Sequence, residues 1–282
     1  MAITSSSFTA PSGTLLYYLQ TGSTDGPLLI ALHGLGGSTS TFEPVLPYIP
    51  ARYRIILVDF PGHGKSPLSA AETPLSVGGH VSDVGDLVAH LQAVGGDASK
   101  GKITILGHSL GAAVAMHYAA QNPNNVAGLV LLGPIQSASH IPAVRQRMLD
   151  TAANTRKQGI EFAAKLATQT NFPLDDQRPV NPAHRKAVES AVVRAQQEGY
   201  AQTCEAIVSM DHKDPDYSAI TCPAVVIAGD LDIISPVARS TGLNDRLGGD
   251  SSVEIVKSGH QQILESTDAV GAAMSKLFQK AS

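Results

Sequence analysis

Cysteine is scarce in this chain: among 282 residues only Cys204 and Cys222 carry thiols. Two cysteines cannot build a disulfide scaffold and these two lack metal-ligand spacing, so both are predicted to be free thiols in a reducing compartment. Charge is sparse as well. Asp, Glu, Lys and Arg make up 16% of the chain, the formal net charge is -4, and the Lys and Arg residues form no basic run. That pattern offers no electrostatic footprint for nucleic acid. No stretch approaches the ~20 apolar residues that would cross a bilayer. Residues Met1 to Ser12 are rich in Ser and Thr and have neither the basic start nor the apolar run of a secretory signal. No Asn-X-Ser/Thr acceptor occurs, and these absences together predict a cytoplasmic protein that does not enter the membrane.

What is present is ordinary globular material, with 43% hydrophobic residues and no segregated polar half. Short aliphatic runs recur at Leu28 to Leu32, Arg54 to Val58, Ile103 to Leu106, Val126 to Leu132, Ala224 to Ala228 and Val253 to Val256. Each ends near Gly, Asp or His, and each is predicted to be a strand buried on both faces, as in a parallel sheet covered by helices. Helical patterns lie between them. Val81, Val84, Leu87, Val88 and Leu91 recur at three- and four-residue spacing before Gly95 and Gly96, and Leu110 to Ala120 is a second, Ala-rich helix. Strand and helix in alternation predict an α/β fold with a doubly wound, mostly parallel sheet.

The alternation breaks between about Ile135 and Ile220, where helix-compatible stretches Arg145 to Lys157, Gly159 to Thr168 and Pro182 to Gln197 follow one another. The expected organisation is a core domain of residues 1–134 and 221–282 with a helical cap, residues 135–220, inserted in it. Ligands of open α/β sheets bind beyond the carboxyl ends of the strands, so such an insertion is placed to form a lid.

One motif carries the chemistry. Gly107-His108-Ser109-Leu110-Gly111 directly follows a predicted strand and opens a predicted helix. A tight strand-to-helix turn lifts a serine hydroxyl above the sheet, and the flanking glycines permit the turn without Cβ clashes. Ser109 is thus the candidate nucleophile, with the Leu110 N–H at the helix start available to a developing oxyanion. His33-Gly34-Leu35-Gly36-Gly37 also follows a strand, and the Leu35 N–H is the candidate second donor. Thr39 stands where a dinucleotide fingerprint starting at Gly34 needs glycine, and Asp59 stands where a Walker A loop ending at Lys65-Ser66 needs it. No cofactor and no metal site is predicted.

A serine hydroxyl needs a base to remove its proton. His260, after the run Val253 to Val256 and Gly259, falls at the strand edge that also carries Ser109; His117, inside a helix, and His140, His184 and His212, in the inserted region, do not. The acid that orients the imidazole is expected between the two in chain order. Gly229-Asp230-Leu231-Asp232 offers two carboxylates; Asp232 is preferred and Asp230 is the alternative.

These segments, with Asp59 to Ser66 and Gly229 to Pro236, resemble the α/β-hydrolase superfamily, in its branch of capped serine esterases and lactonases such as the 3-oxoadipate enol-lactonases. The resemblance covers nearly the whole chain outside the cap. It implies Asp232 rather than Asp230 as the acid, because the family's acid stands three residues after the strand-ending glycine and a proline follows. It implies an oxyanion hole from Leu35 and Leu110, and a structural role for Asp59 to Ser66. A serine nucleophile argues against haloalkane dehalogenase chemistry, and the absence of tryptophan against haloperoxidases. The expected partner is a small ester or lactone substrate. The other readings are a hydrolase of carbon-carbon bonds in vinylogous diketones and a ligand receptor with slow or no turnover. A carboxylate-bearing substrate would want a cation from the cap, for which Arg145, Arg147 and His140 are available.

Overall fold

A computed structural model describes residues 3–69 and 74–280. The outermost positions of the expected core domain, residues 1–2 and 281–282, lie outside the described residues. Among the described residues eight strands form one sheet: β1 (Thr4–Thr9), β2 (Leu15–Gly22), β3 (Leu28–Leu32), β4 (Arg54–Val58), β5 (Ile103–His108), β6 (Val126–Leu132), β7 (Ala224–Gly229) and β8 (Ser251–Val256). Their order is β1-β2-β4-β3-β5-β6-β7-β8. β1 and β2 run antiparallel to their neighbours, and every other pairing is parallel.

Period-two alternation distributes the apolar side chains over two cores. Ile30, Ile56 and Ile105 face helix α1 (Val77–Val94) and helix α2 (Leu110–Gln121), where Val84, Leu87 and Leu91 meet them. Leu29, Ala31, Leu57, Leu106 and Val130 face the opposite side. There they pack on a 3-10 segment, Thr39–Tyr48, and on Val270, Met274 and Leu277 of the C-terminal helix.

Between β6 and β7 lie four helices, α3 (Pro142–Gln158), α4 (Ile160–Thr170), α5 (Pro182–Val192) and α6 (Gln197–Ile207). They have a small-residue core of their own, in which Ala152, Ala163, Ala164 and Ala201 surround Tyr200 and Cys204. Leu35 and Met148 pack against both this cluster and the main core. The two ends of the insert are clasped: Ser137 N–H donates to Asp214 Oδ1 (2.6 Å), and Ser137 Oγ to the His212 carbonyl (2.6 Å). After β7 come α7 (Val237–Asn244), then β8, the short α8 (Gln262–Glu265) and α9 (Thr267–Lys280). Cys204 and Cys222 are both buried free thiols, and no helix among the described residues is long and apolar enough to cross a membrane.

Three local expectations are corrected. Strands β1 and β2 have no counterpart in the aliphatic runs, because β1 is a largely exposed edge of Ser and Thr and β2 is half-buried. β8 is an edge strand and only Val256 in it is buried, so it is not covered on both faces. The stretch Pro182 to Gln197 is two elements. Helix α5 stops at Val192, and Gln196 leaves helical geometry (ψ 130°) where its N–H donates to the Gly62 carbonyl (2.9 Å) and its side chain accepts from Leu68 N–H (2.9 Å).

Candidate active site

Ser109 occupies the turn between β5 and α2 at φ 54° and ψ -112°, the one positive φ of a non-glycine among the described residues. Such a conformation costs roughly 1–3 kcal/mol and persists only where its surroundings impose it. Here the Ser109 N–H donates to the Leu132 carbonyl (2.9 Å), while its own carbonyl accepts from Ala112 and Ala113 (3.1 Å each). A Cβ on Gly111 would lie 1.9 Å from the Leu32 carbonyl oxygen, so the α2 backbone can sit against β3 only with glycine at this position.

Above this turn the structure brings together the three residues singled out from the motifs. His260 Nε2 stands 2.9 Å from Ser109 Oγ, and His260 Nδ1 stands 2.8 Å from Asp232 Oδ2. All three are buried. Asp232 Oδ1 accepts the N–H groups of Ile234 (2.8 Å) and Ser235 (2.9 Å), and Oδ2 also accepts Gln262 Nε2 (3.1 Å). Burial alone would raise the Asp232 pKa. The adjacent His260 and these donors outweigh burial and hold the carboxyl below its ordinary value. Asp230, the alternative acid, points elsewhere: its carboxylate takes both Nη groups of Arg178 (2.8 and 2.6 Å) and the Ser258 N–H (3.0 Å).

Leu110 follows Ser109 and Gly34, the residue before Leu35, abuts it, and neither the Leu35 nor the Leu110 backbone N–H donates to a protein acceptor among the described residues. Leu110 is the first residue of α2, where the leading N–H groups of a helix have no partner within it. The Leu35 loop is shaped by His33. Its Nε2 accepts from Phe60 N–H (2.9 Å), which leaves Nδ1 to donate to the Gly34 carbonyl (2.7 Å). Burial pushes the His33 pKa down to about 4, so the ring is neutral as this pattern requires. Asp59 accepts the N–H groups of Thr39 (2.6 Å) and Lys65 (2.8 Å) and ties loops together away from the serine.

A cavity lies between Gly34, Leu35 and His108 on one side and Ala187, Val188, Ala191 and Val192 of α5 on the other; Ser109 and His260 are next to its lining residues in sequence, and neither they nor Asp232 is on its wall. No charged side chain lines it. Arg145, Arg147 and His140 are not on its wall: Arg147 and His140 are exposed, and Arg145 is half-buried on α3. Residues that the motifs did not reveal surround His260. His108 Nε2 is 2.8 Å from the His260 carbonyl, Gln262 reaches Asp232, and the Asn171 carbonyl accepts from His260 N–H (2.8 Å). Gln262 was findable, since it shares a turn with His260. Asn171 carried no sequence signal because it arrives from the insert.

Comparison with known proteins places this chain in a family. A pimeloyl-[acyl-carrier protein] methyl ester esterase of Aeromonas hydrophila is 28% identical over 83% of this chain and 89% of its own length. A magnesium-chelatase 30 kDa subunit of Rhodobacter capsulatus is 36% identical over 107 residues, and the match spans only 35% of that protein. Among solved structures, an esterase from Thermogutta terrifontis superposes with a TM-score of 0.83, at 21% identity and 99% coverage of both chains. An enol-lactonase from Burkholderia xenovorans LB400 gives 0.81, at 22% identity, covering 97% of this chain and 100% of that one. At these identities the structural likeness speaks for the fold. The model of the alpha/beta hydrolase fold family matches residues 27–267, and the chain belongs to that family.

Proposed function

We propose that this protein is a serine hydrolase of carboxylic esters or lactones that works through an acyl-enzyme. The observation that carries the reading is the contact of Ser109 Oγ with His260 Nε2 at 2.9 Å, on a strained turn whose neighbouring N–H groups are unclaimed. His260 removes the Ser109 proton as the hydroxyl attacks the substrate carbonyl. Asp232 keeps the other ring nitrogen protonated and stabilises the imidazolium that forms. Negative charge gathering on the carbonyl oxygen is received by the Leu35 and Leu110 N–H groups, donors fixed before the reaction begins. His260 then hands its proton to the leaving group, and water, activated by the same imidazole, releases the acyl group.

The helical insert acts as a cap, with α5 closing the cavity beside the oxyanion loop. The small, uncharged wall formed by Ala187, Val188, Ala191 and Val192 favours a short aliphatic, neutral acyl group over one bearing a carboxylate. This supports simple esters and neutral lactones ahead of acidic enol-lactones. The names of the Aeromonas esterase and the Burkholderia enol-lactonase agree with acyl transfer as the reaction class.

Steady-state hydrolysis of p-nitrophenyl acetate and butyrate, with a small panel of neutral lactones, tests the reading against Ser109→Ala. The expected result is multiple turnover that falls by at least ~10³ in the variant. Absence of turnover, or equal rates, would reject it in favour of a carbon-carbon hydrolase or a ligand receptor.

A further inference from the structure

The loop that carries His260 is held by the core and by the insert together. His260 N–H donates to the Asn171 carbonyl (2.8 Å), and Asn171 is the residue at which α4 ends. The last carbonyls of a helix have no partner within it, and here the backbone of His260 supplies one. Gly259 lies so close to this segment that a Cβ there would sit 2.8 Å from the Asn171 oxygen and 2.9 Å from Phe172 Cα. Seven residues beyond Asn171, Arg178 makes its two-pronged pair with Asp230, which accepts the Ser258 N–H with the same Oδ1 atom. Residues 258 and 260 are thus each tied to the segment 171–178, one directly and one through Asp230. The Gly259 N–H between them is taken by Glu265 Oε2 (2.9 Å).

We propose that Asn171 and Arg178 form a positioning clamp for His260, so that seating of the cap and alignment of the base are one event. The inference rests on the reading of His260 as the base. Its physical content is geometric. An Arg-carboxylate fork fixes direction as well as distance, and the helix end anchors the backbone from which the imidazole projects. With the clamp made, Nε2 meets Ser109 and Nδ1 meets Asp232. With it broken, the His260 loop retains its bonds to Asp230, Leu231, Glu265 and His108 but loses both ties to the cap. Neither Asn171 nor Arg178 touches the reacting atoms.

The test compares wild type, Arg178→Ala and Arg178→Lys on p-nitrophenyl acetate, whose acyl group is too small to report on the fit of the cavity. The clamp predicts that kcat falls roughly tenfold in Arg178→Ala while KM stays within about twofold, since small misplacements of a reacting group are costly. Arg178→Lys, which keeps the charge without the fork, recovers part of the loss. The downfield proton resonance of the His260 Nδ1–H bonded to Asp232 should weaken or shift in Arg178→Ala. That signal needs no turnover, so it tests the clamp even if the wild type proves inactive and the hydrolase reading fails. An unchanged kcat with an unchanged resonance overturns the clamp. So does a rise in KM alone, or a loss of rate that merely follows the unfolded fraction measured by circular dichroism.

Discussion

His108 Nε2 lies 2.8 Å from the carbonyl oxygen of His260, so the residue just before Ser109 also braces the histidine that meets the Ser109 hydroxyl. Burial pushes the His108 pKa down to about 3, against the upward pull of the bond to the His260 carbonyl. The ring is therefore a neutral donor across the working range. Replacing it by Leu removes the donor and leaves the His260 carbonyl without this partner. We expect His108→Leu to fold but to lose about tenfold or more in kcat/KM, a cost of ~1.4 kcal/mol in transition-state binding. Unaltered kcat/KM would show that the contact is incidental.

Gly34 gives a sharper test of the same geometry. A Cβ there would lie 2.9 Å from Ser109 Cβ and 3.0 Å from His108 Nδ1. Gly34→Ala must displace one of the two or the Leu35 loop itself. The expected outcome is a folded protein whose kcat/KM falls by about 10², in line with the cost of a displacement near 1 Å. Retained activity would mean that the loop has more room than the structure gives it.

Why the fold and site were partly legible follows from the same local facts. Ser109, His260 and Asp232 each sit in a turn at the end of a strand, and glycines at 107, 111, 229 and 259 mark those turns in the sequence. The insert reads as helices because Pro182 and the apolar spacing are local signals. The break at Gln196 is not legible, because it is made by Gly62 and Leu68, more than a hundred residues away. Nor is the grip of Arg178 on Asp230, since an arginine in a polar stretch looks the same whether solvated or paired. Neither β1 nor the exposure of β8 is legible, for one reason: edge strands carry exposed or half-exposed, mixed side chains and lack the buried aliphatic run that marks a central strand.

Buried histidines predict a characteristic acid sensitivity. Burial, chiefly, holds His63 and His80 at about 3 and His33 at about 4. Unfolded histidine titrates near 6.5, so between about pH 6.5 and 4 the unfolded chain binds protons that the native state refuses. Stability should therefore fall as pH drops through that window. His80→Phe, beside the Phe60 ring at 4.8 Å, should show a smaller loss in urea unfolding between pH 7 and 4.5 than the wild type. Parallel pH curves would contradict this account.

Glu265 has the opposite sign. Burial pushes its carboxyl up to about 7, against the pull of the Gly259 N–H, Arg178 and Arg185. Unfolded Glu titrates near 4.3, so the native state holds a proton that the unfolded chain has lost, and this group's contribution declines as pH rises from about 4 to 7. Glu265→Gln keeps an acceptor for Gly259 and removes the titration. Its Tm, relative to wild type, should gain between pH 5 and pH 8; a constant difference would argue against the shift.

The cavity makes a prediction about chain length. Ala191 of α5 faces it, and Ala191→Phe should lower kcat/KM for p-nitrophenyl butyrate relative to acetate by roughly tenfold, the scale of discrimination that a hydrophobic pocket exerts on small size differences. If both esters fall equally, the acyl group binds elsewhere.

The central claim is that Ser109 is acylated, and acid-quenched reaction with p-nitrophenyl butyrate followed by peptide mass spectrometry tests it most directly. The account predicts a butyryl group on the peptide that contains Ser109, absent from Ser109→Ala. Turnover without any acylated peptide, or a butyryl group retained in Ser109→Ala, would contradict it.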